Sequence, residues 1–308
     1  MESASAIFVP AYRKLFDSGE LAQRATHAAA LLHPCALCAQ RCGINRQQGE
    51  VGVCQTGAKV RICSYGPHHG EEQPLVGFRG SGTIFFSWCN LGCIFCQNWE
   101  ISQQGEGHEV SAKQLAETML SLQQQGCHNI NLVSPSHVIA QFLQALLLAA
   151  EAGLMLPLVY NSGGYDSLDA LELLDGVIDI YMPDMKFADS ALAAPFLQVK
   201  DYAEVNFAAV KEMHRQVGDL LLSEAGIAKR GLLVRHLVLP ENLAGTDRIL
   251  KFLAEEISPD TYLNLMDQYR PCYRANDYPP LDRRPSWGEL KAAQATAKRL
   301  GLKRLDRR

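Results

Sequence analysis

The chain has 308 residues, of which 47% are hydrophobic, enough for one large domain with a substantial core. Lys and Arg number 29 against 33 Asp and Glu, a formal charge of −4 that gives no indication of nucleic-acid or anionic-membrane binding. No apolar run approaches the roughly 18 residues of a membrane span, and the N-terminus lacks the basic and apolar regions of a secretory signal. We therefore expect a cytoplasmic protein.

Ten cysteines in such a chain indicate a reducing compartment, where clustered cysteines bind metals more often than they form disulfides. A first group, here called the quartet, has C-x2-C-x3-C-x11-C spacing and consists of Cys35, Cys38, Cys42 and Cys54. A second group, the triplet, has C-x3-C-x2-C spacing and consists of Cys89, Cys93 and Cys96. Cys63, Cys127 and Cys272 have no cysteine neighbour at ligand spacing and are predicted to be small core residues.

The N-terminal part of the chain is predicted to be a helix followed by a metal-binding extension. An approximately helical apolar stripe spans residues 11–32, and Pro34 ends it. The Gly- and Cys-rich segment that continues to about residue 66 has little periodicity and needs a metal to hold it together. Four thiolates make a closed structural site, which fits zinc and a second [4Fe–4S] cluster equally. The alternative is four unligated thiols.

From residue 83 onward, apolar strand candidates alternate with helices. The strands are predicted at 83–86, 129–133, 156–160, 177–182, 232–239 and 262–266. The helices are predicted at 112–125, 138–152, 168–174, 203–217, 249–256 and 286–300. This alternation implies parallel pairing with right-handed crossovers. We predict an α/β fold, a partial (β/α)6 TIM-like barrel over 77–308, preceded by the helix and Cys-rich extension of 1–76.

Polar residues follow the apolar runs where a barrel of this kind places its chemistry, at the C-terminal strand ends. The first run ends at the triplet, and the others end in or contain Ser134 and Ser136, Asn161, Asp184 and Lys186, Arg235 and His236, and Gln268. Turn or helix-cap chemistry is the alternative for any one of them. Alternation along a strand places Asp184 and Lys186 on one face.

The triplet directly follows the predicted strand 83–86. Three thiolates in so short a loop can hold three corners of a cubane iron–sulfur cluster, and without a fourth nearby thiolate one iron stays open. Three buried or zinc-binding cysteines are the alternative, although this spacing is unusual for zinc.

The triplet, with Phe95 before its third cysteine, resembles the radical S-adenosylmethionine (SAM) superfamily. Residues 83–270 resemble enzymes of the pyruvate formate-lyase-activating type. Nearly the whole chain resembles the poorly characterised relatives of that activase whose extra cysteines precede the barrel. The motifs that carry this narrower resemblance are Cys35-Ala36-Leu37-Cys38, Cys42-Gly43-Ile44-Asn45-Arg46, His69-Gly70-Glu71-Glu72, Gly80-Ser81-Gly82 and Cys96-Gln97-Asn98.

The resemblance implies a cofactor pair and a reaction. Cys89, Cys93 and Cys96 are expected to bind a [4Fe–4S] cluster whose open iron binds SAM through its amino and carboxylate groups. Reductive cleavage would give methionine and a 5′-deoxyadenosyl radical that abstracts hydrogen from a substrate. By position, Phe95 packs near the adenine, Asn98 bonds to SAM, Asp184 and Lys186 offer it an acceptor and a cation, and Arg235 pairs with its carboxylate.

Two expected SAM contacts depart from the activase pattern. Ser134 and Ser136 stand where the activases carry the Gly-Gly-Glu stretch that receives the SAM amino group. Asn161 is preceded by Tyr160 where the activases carry an acidic residue for the ribose. The manner of amino-group and ribose recognition therefore differs here.

The sequence leaves the substrate and partners open. Candidate substrate contacts are His68, His69, Glu71 and Glu72 in the segment before the first strand, together with His236 and Gln268. A solvated linker and a structural histidine are the alternatives. The basic residues 298–308 are either a solvated helix end or a docking site for an acidic electron donor such as a flavodoxin or ferredoxin.

Three functions compete. The first is activation of a glycyl-radical enzyme. The second is radical modification of a small molecule, a peptide or an RNA. The third is a non-enzymatic iron–sulfur or zinc interaction protein, which would not bind SAM.

Overall fold

Ten strands form one sheet in the computed structural model of the chain, which describes residues 8–306. Two terminal segments lie outside the described part. They are residues 1–7, where no secretory signal was predicted, and Arg307 and Arg308 of the basic C-terminus. The strands are β1 (Val60–His68), β2 (Ser81–Phe86), β3 (His108–Val110), β4 (Ile130–Val133), β5 (Leu158–Ser162), β6 (Ile180–Met185), β7 (Leu221–Leu222), β8 (Ala228–Leu237), β9 (Tyr262–Met266) and β10 (Arg304–Leu305).

Eleven α-helices connect and flank these strands within residues 8–306. They are α1 (Ala11–Asp17), α2 (Glu20–Ala30), α3 (Gln73–Val76), α4 (Trp99–Gln104), α5 (Ala112–Gln124), α6 (Ile139–Glu151), α7 (Leu168–Leu174), α8 (Ser190–Leu197), α9 (Tyr202–Val217), α10 (Thr246–Phe252) and α11 (Trp287–Arg299). Single turns of 3-10 helix occur at Arg46–Gln48, Pro240–Asn242 and Ala275–Asp277, and a π-helical turn at Leu253–Ile257 extends α10.

The strand order is β10-β9-β8-β6-β5-β4-β2-β1-β3, with β7 paired to β8. Neighbours from β2 to β10 along this path pair in parallel, whereas β1 pairs antiparallel with both β2 and β3. The edges β3 and β10 do not pair, so the sheet is open. This confirms the predicted α/β partial barrel. The six predicted strands are β2, β4, β5, β6, β8 and β9.

The parallel registers bring the predicted polar strand ends side by side. Val133 of β4 pairs with Asn161 of β5, and Asp184 of β6 pairs with Arg235 of β8. Because all these strands run in the same direction, their carboxyl ends meet at one rim.

Helix α6 shows how the apolar pattern builds the core. Ile139, Phe142, Leu143 and Leu146 recur at helical spacing, and all are at most 1% exposed. Burial of each such side chain stabilises the fold by roughly 1.5–3 kcal/mol. They belong to a large core that also includes Leu132 of β4.

Several elements differ from the sequence prediction. The predicted single helix over 11–32 is two helices, because Gly19 adopts a left-handed conformation with φ 80° between them. Strand β1 forms within the segment predicted to lack periodicity, and its register with β2 runs from Ile62 opposite Phe86 to His68 opposite Ser81. Short helices α3, α4 and α8 were not predicted.

The N-terminal extension packs onto the barrel. Helix α2 contacts α6 and α7, and the backbone N–H of Ala11 donates to Asp179 Oδ1 at 2.9 Å. The division into 1–76 and 77–308 stays a prediction, and the sheet continues across it through β1 and β2. Among the described helices, none has both the length and the apolar character needed to cross a membrane.

Candidate active site

A cavity of about 370 Å³ lies at the carboxyl ends of the parallel strands. The triplet cysteines Cys89, Cys93 and Cys96 line it. The other predicted residues in its lining are Glu71, Phe95, Asn98, Ser134, Asn161, Asp184, Lys186, Arg235 and Gln268. His68, a candidate substrate contact from the segment before β2, also lines it, as do Ser102, Gln103 and Gly163, which were not predicted.

The loop that carries the triplet is fixed by backbone hydrogen bonds. Trp88 begins it in a left-handed conformation with φ 68°, which turns the chain at the end of β2. The N–H groups of Gly92 and Ile94 donate to Leu197 O at 3.0 Å and Phe196 O at 2.9 Å at the end of α8. A Cβ on Gly92 would lie 2.5 Å from Gln198 Oε1, so a larger residue there would have to displace the end of that glutamine side chain. The loop is therefore held independently of any bound group.

The three thiols fit an iron–sulfur cluster better than a single ion. Burial raises the pKa of Cys89 to about 11, with Cys96 nearby adding to the effect, and burial also raises the pKa of Cys93. Within residues 8–306 no three His, Cys, Asp or Glu side chains are grouped so as to bind one metal ion. In a cluster each thiolate binds its own iron, so the ligands stand wider apart, and the cationic irons favour the thiolate that burial opposes.

Asp184 and Lys186 form a partly buried ion pair on β6. Lys186 Nζ lies 2.5 Å from Asp184 Oδ2. Burial opposes the charge on the lysine, but Asp184 and then Cys93 outweigh it and raise the pKa of Lys186. The backbone around the pair is held by Asn206, whose Nδ2 donates to Asp184 O at 2.9 Å. The cavity thus has a fixed ammonium group beside the triplet.

Arg235 is paired with two buried glutamates. Its Nη1 lies 3.5 Å from Glu71 Oε2 and its Nε lies 3.1 Å from Glu72 Oε1, although the latter contact lacks hydrogen-bond alignment. Asn264 Nδ2 donates to Glu72 Oε1 at 2.7 Å. Burial raises the pKa of Glu71, and Arg235 opposes that rise. Glu71 and Glu72 are 5% and 1% exposed, so this part of the segment is not a solvated linker.

The pairing of Arg235 bears on its expected role. Arg235 lines the cavity and its Nη1 also donates to Asn161 Oδ1 at 3.4 Å. A SAM carboxylate would have to share the guanidinium with Glu71 and Glu72. Contact between Arg235 and SAM therefore stays a prediction.

A buried hydrogen-bond network supports the ends of β4 and β5. Ser134 has φ 58°, and its N–H donates to Asn161 O at 2.8 Å. Behind it, Asp166 accepts from Tyr160 Oη at 2.8 Å and from Ser162 Oγ at 2.6 Å. Burial raises the pKa of Asp166, whereas hydrogen bonds from Ser136, Ser162 and Tyr160 lower it. Ser136 is therefore part of this network and not of the cavity lining.

Aromatic side chains and two amides complete the lining. Phe95 is 4% exposed and contacts Phe187 and Tyr269, with ring centroids 6.2 Å away in each case. Asn98 is exposed at the start of α4. Gln268 Nε2 lies 3.8 Å from Met266 Sδ. Each is placed where a molecule in the cavity could contact it.

Three predicted substrate contacts lie outside the lining. His69 is exposed, and His68 lines the cavity in its place, with its ring 5.9 Å from Phe85. Glu72 lies behind Glu71. His236 is fully buried, donating from Nδ1 to Met185 O at 2.7 Å and accepting at Nε2 from Thr246 Oγ1 at 2.9 Å. Burial lowers the pKa of His236 to about 4, so this placement supports a structural, neutral histidine.

Comparison with known proteins assigns the family. The model of the Radical SAM superfamily matches residues 83–253, which span the triplet and the parallel strands up to β8. The chain belongs to the radical SAM superfamily. This family implies a [4Fe–4S] cluster and SAM as cofactors, and the triplet and the polar cavity fit both.

The curated relatives do not define the reaction further. The uncharacterized protein MJ0674 of Methanocaldococcus jannaschii is 30% identical over 87% of this chain and 75% of its own length. The uncharacterized protein MJ0808 of the same organism is 22% identical over 80% of this chain and 73% of its own length. A solved structure of TYW1 with a lysine-pyruvate adduct bound aligns with a TM-score of 0.43 and 16% identity, over 71% of this chain and 72% of that chain.

Proposed function

We propose that this radical SAM protein is an enzyme of the pyruvate formate-lyase-activating type. Cys89, Cys93 and Cys96 would hold the [4Fe–4S] cluster. The observation that carries the proposal is that these thiols share one cavity with the Asp184–Lys186 pair, Asn161 and Arg235. A cavity that combines thiols with fixed charges of both signs suits a zwitterionic ligand such as SAM better than it suits a structural metal.

Held by Cys89, Cys93 and Cys96 and by the polar lining of the cavity, a [4Fe–4S] cluster and SAM would supply the radical chemistry, namely reductive cleavage of SAM and abstraction of a hydrogen atom from the substrate. The chain supplies position and exclusion of water. The three thiols hold the iron, and Lys186 and Asp184 offer SAM a cation and an acceptor. Phe95, packed on Phe187 and Tyr269, gives a rigid apolar surface for the adenine. The hydroxyl of Ser134 and the amide of Asn161 offer further polar contacts.

Activation of a glycyl-radical enzyme is the favoured target. It is supported by Asp184-Met185-Lys186, which resembles the Asp-Leu-Lys stretch of the activases, because both charged side chains line the cavity. Radical modification of a small molecule, a peptide or an RNA uses the same cleavage step. An interaction protein without SAM binding predicts no cleavage.

An electron donor is also part of the proposal. The basic residues Lys298, Arg299, Lys303 and Arg304 at the end of the chain suit an acidic protein such as a flavodoxin or ferredoxin. Reduction by such a donor should weaken as ionic strength rises, because the attraction is screened.

The cleavage test is anaerobic. The reconstituted chain is reduced with dithionite, SAM is added, and 5′-deoxyadenosine and methionine are quantified by chromatography. We expect cleavage by the wild type and its loss in Cys93→Ala. Cys127→Ala is the matched control, since Cys127 is a buried core thiol outside the cavity. No cleavage by the wild type, or equal cleavage by Cys93→Ala, contradicts the proposal.

A second experiment distinguishes activation of a glycyl-radical enzyme from modification of another substrate class. The chain, SAM and reductant are incubated with a candidate glycyl-radical enzyme, and electron paramagnetic resonance is used to look for a protein radical. A radical that depends on SAM and on Cys93 supports the activase function. SAM cleavage without any such radical favours modification of another substrate class.

A further inference from the structure

Arg46 ends the motif Cys42-Gly43-Ile44-Asn45-Arg46 and is 1% exposed. Its Nε and Nη2 donate to Gly57 O at 3.1 and 2.9 Å, and its Nη1 donates to His137 O at 2.8 Å. The same Nη1 lies 3.9 Å from Cys35 Sγ. The guanidinium is therefore held in one place by backbone carbonyls and faces a cysteine of the quartet.

The charge of Arg46 has no carboxylate partner. Between Phe8 and Asp306, the part of the chain that the structure describes, no Asp or Glu oxygen lies within 4.0 Å of the guanidinium. Carbonyl dipoles satisfy its hydrogen bonds but supply no net charge. A buried, uncompensated charge costs several kcal/mol, so buried ions are normally paired. Among the side chains that contact Arg46, Cys35 is the one able to carry a negative charge.

Cys35 lies at this position, and Cys38 is close enough to interact electrostatically with Cys35, Cys42 and Cys54. Cys35, Cys38 and Cys54 are buried and Cys42 is half-buried. The backbone of Cys35 is pinned by bonds from its N–H to Ile44 O at 2.9 Å and from Gly43 N–H to its own carbonyl at 3.0 Å. Gly52 approaches so closely that a Cβ there would lie 2.8 Å from Cys42 Sγ. Protonated thiols would leave Arg46 without a counter-charge.

We propose that the quartet binds a metal centre through its four thiolates and that Arg46 is the buried counter-ion of that centre. As at the triplet, no three side chains of residues 8–306 are grouped to bind one metal ion, so a [4Fe–4S] cluster, in which each thiolate binds its own iron, fits the quartet better than zinc. Either centre with four thiolates carries a net charge of about −2. The proposal does not depend on the SAM reaction. It assigns to Arg46 a role in metal binding, beside the ligands themselves.

The arrangement also ties this centre to the cavity. His137, whose carbonyl accepts from Arg46, donates from Nε2 to Ser87 O at 3.0 Å at the start of the triplet loop. Gln40, between two quartet cysteines, donates from Nε2 to Asn90 O at 2.8 Å in the triplet loop itself. A loaded quartet would therefore fix one side of that loop.

The test uses the full chain with Cys89→Ala, Cys93→Ala and Cys96→Ala, so that any bound metal belongs to the quartet. One sample is loaded with zinc and another is reconstituted anaerobically with iron and sulfide. Metal per chain is measured by mass spectrometry and retention by competition with a chelator. Metal retention in either sample supports the proposal and identifies the metal. No retention in both samples overturns it.

Arg46→Gln in this background tests the counter-ion. We expect the apparent metal affinity to fall roughly 10- to 100-fold, as for other groups that support metal ligands. Arg41→Gln is the matched control: it makes the same charge change in the same segment, but Arg41 is exposed and pairs with Asp169. We expect Arg41→Gln to bind within twofold of the parent. Equal affinity in the two variants overturns the role of Arg46.

Thermal unfolding distinguishes a loss of metal affinity in a folded variant from a failure of the variant to fold. Metal should raise the unfolding temperature of the parent more than that of Arg46→Gln, because the variant lacks the charge that the centre stabilises. Equal metal-induced shifts overturn the proposal. If Arg46→Gln does not fold, the Arg46→Lys variant tests the counter-ion role in its place. It keeps the charge and should retain metal within tenfold, whereas a folded lysine variant that loses the metal contradicts a counter-ion role.

Discussion

Arg235 shows how a single side chain connects the cavity to the fold. It was predicted as a SAM contact, and it lies between Glu71, Glu72 and Asn161. These partners come from the segment before β2 and from β5, far away in sequence. The apolar run 232–239 predicted that Arg235 lies on a strand, but no local pattern reports its pairing with distant segments.

Removing Arg235 should destabilise the protein. In Arg235→Met two buried carboxylates lose their cation, and we expect a loss of about 3 kcal/mol in the free energy of unfolding, measured with urea. Arg215→Met is the control, since Arg215 also pairs with two carboxylates, Glu212 and Asp175, but on the surface. It should change stability little. Equal losses in the two variants would contradict a buried role for the Arg235 cluster.

The buried His236 should make the free energy of unfolding of the protein depend on pH. Its pKa is lowered by burial from 6.5 to about 4, so the folded state disfavours the proton that the unfolded state accepts. The neutral histidine contributes fully above pH ~6.5, and that contribution is lost as the pH falls toward ~4. At pH 5 the loss should be about 2 kcal/mol. The stability difference between wild type and His236→Gln, measured with urea, should therefore shrink by that amount from pH 7.5 to pH 5. A constant difference would show that His236 does not titrate as inferred.

At the scale of elements, the turn after β5 depends on glycine. Gly164 has φ 73°, and a Cβ there would lie 2.1 Å from Asn206 Nδ2 and 2.3 Å from Asp184 O. The same Asn206 holds the end of β6 that carries Asp184 and Lys186. The close approach of this turn to β6 is thus part of how the ion pair is placed.

Gly164→Ala should damage both the fold and the cavity. A left-handed alanine costs about 1–2 kcal/mol, and the clash with Asn206 and Asp184 adds to this. Gly176→Ala is a closely matched control, with the same φ of 73° but its nearest neighbour, Leu15 Cδ1, at 3.6 Å. Urea unfolding and SAM binding by calorimetry should show a larger stability loss and weaker SAM binding in Gly164→Ala alone. Equal stability losses and equal SAM affinities in the two variants would contradict the inferred role of this turn.

The elements that the sequence predicted are those with a regular apolar pattern. The six parallel strands are short apolar runs between helices, and α5, α6, α9 and α11 carry clear helical stripes, so their bounds agree with prediction to within a few residues. Strand β1 was missed because only Val60 and Ile62 of its nine residues are buried, and the others are half-buried or exposed. Its partner β2 supplies the hydrogen bonds that local sequence does not indicate.

At the scale of the whole molecule, the N-terminal extension and the barrel both contact the triplet loop. The quartet segment reaches the triplet loop through Gln40 and through the contacts of Arg46 with His137 and His137 with Ser87. Sequence alone separated the two cysteine groups by 34 residues, Cys54 to Cys89, and gave no sign that they adjoin. The structure joins them because β1 folds back along β2.

This arrangement predicts that damage to the quartet reaches the SAM reaction. Cys38→Ser should leave the triplet able to bind iron, since none of its ligands changes, yet lower the rate of SAM cleavage roughly tenfold by loosening the loop. Iron content and 5′-deoxyadenosine formation are measured together, with Cys63→Ser as a control outside both groups. An unchanged rate in Cys38→Ser would show that the two parts work independently.

We infer that the triplet holds a cluster with an iron open to SAM. Electron paramagnetic resonance of the anaerobically reduced chain, recorded before and after SAM is added, tests it most directly. We expect SAM to alter the reduced-cluster signal of the wild type, and we expect no SAM-dependent change in the variant with Cys89, Cys93 and Cys96 all replaced by Ala. A wild-type signal that is identical with and without saturating SAM, or a SAM-dependent change that survives in the variant, would contradict it.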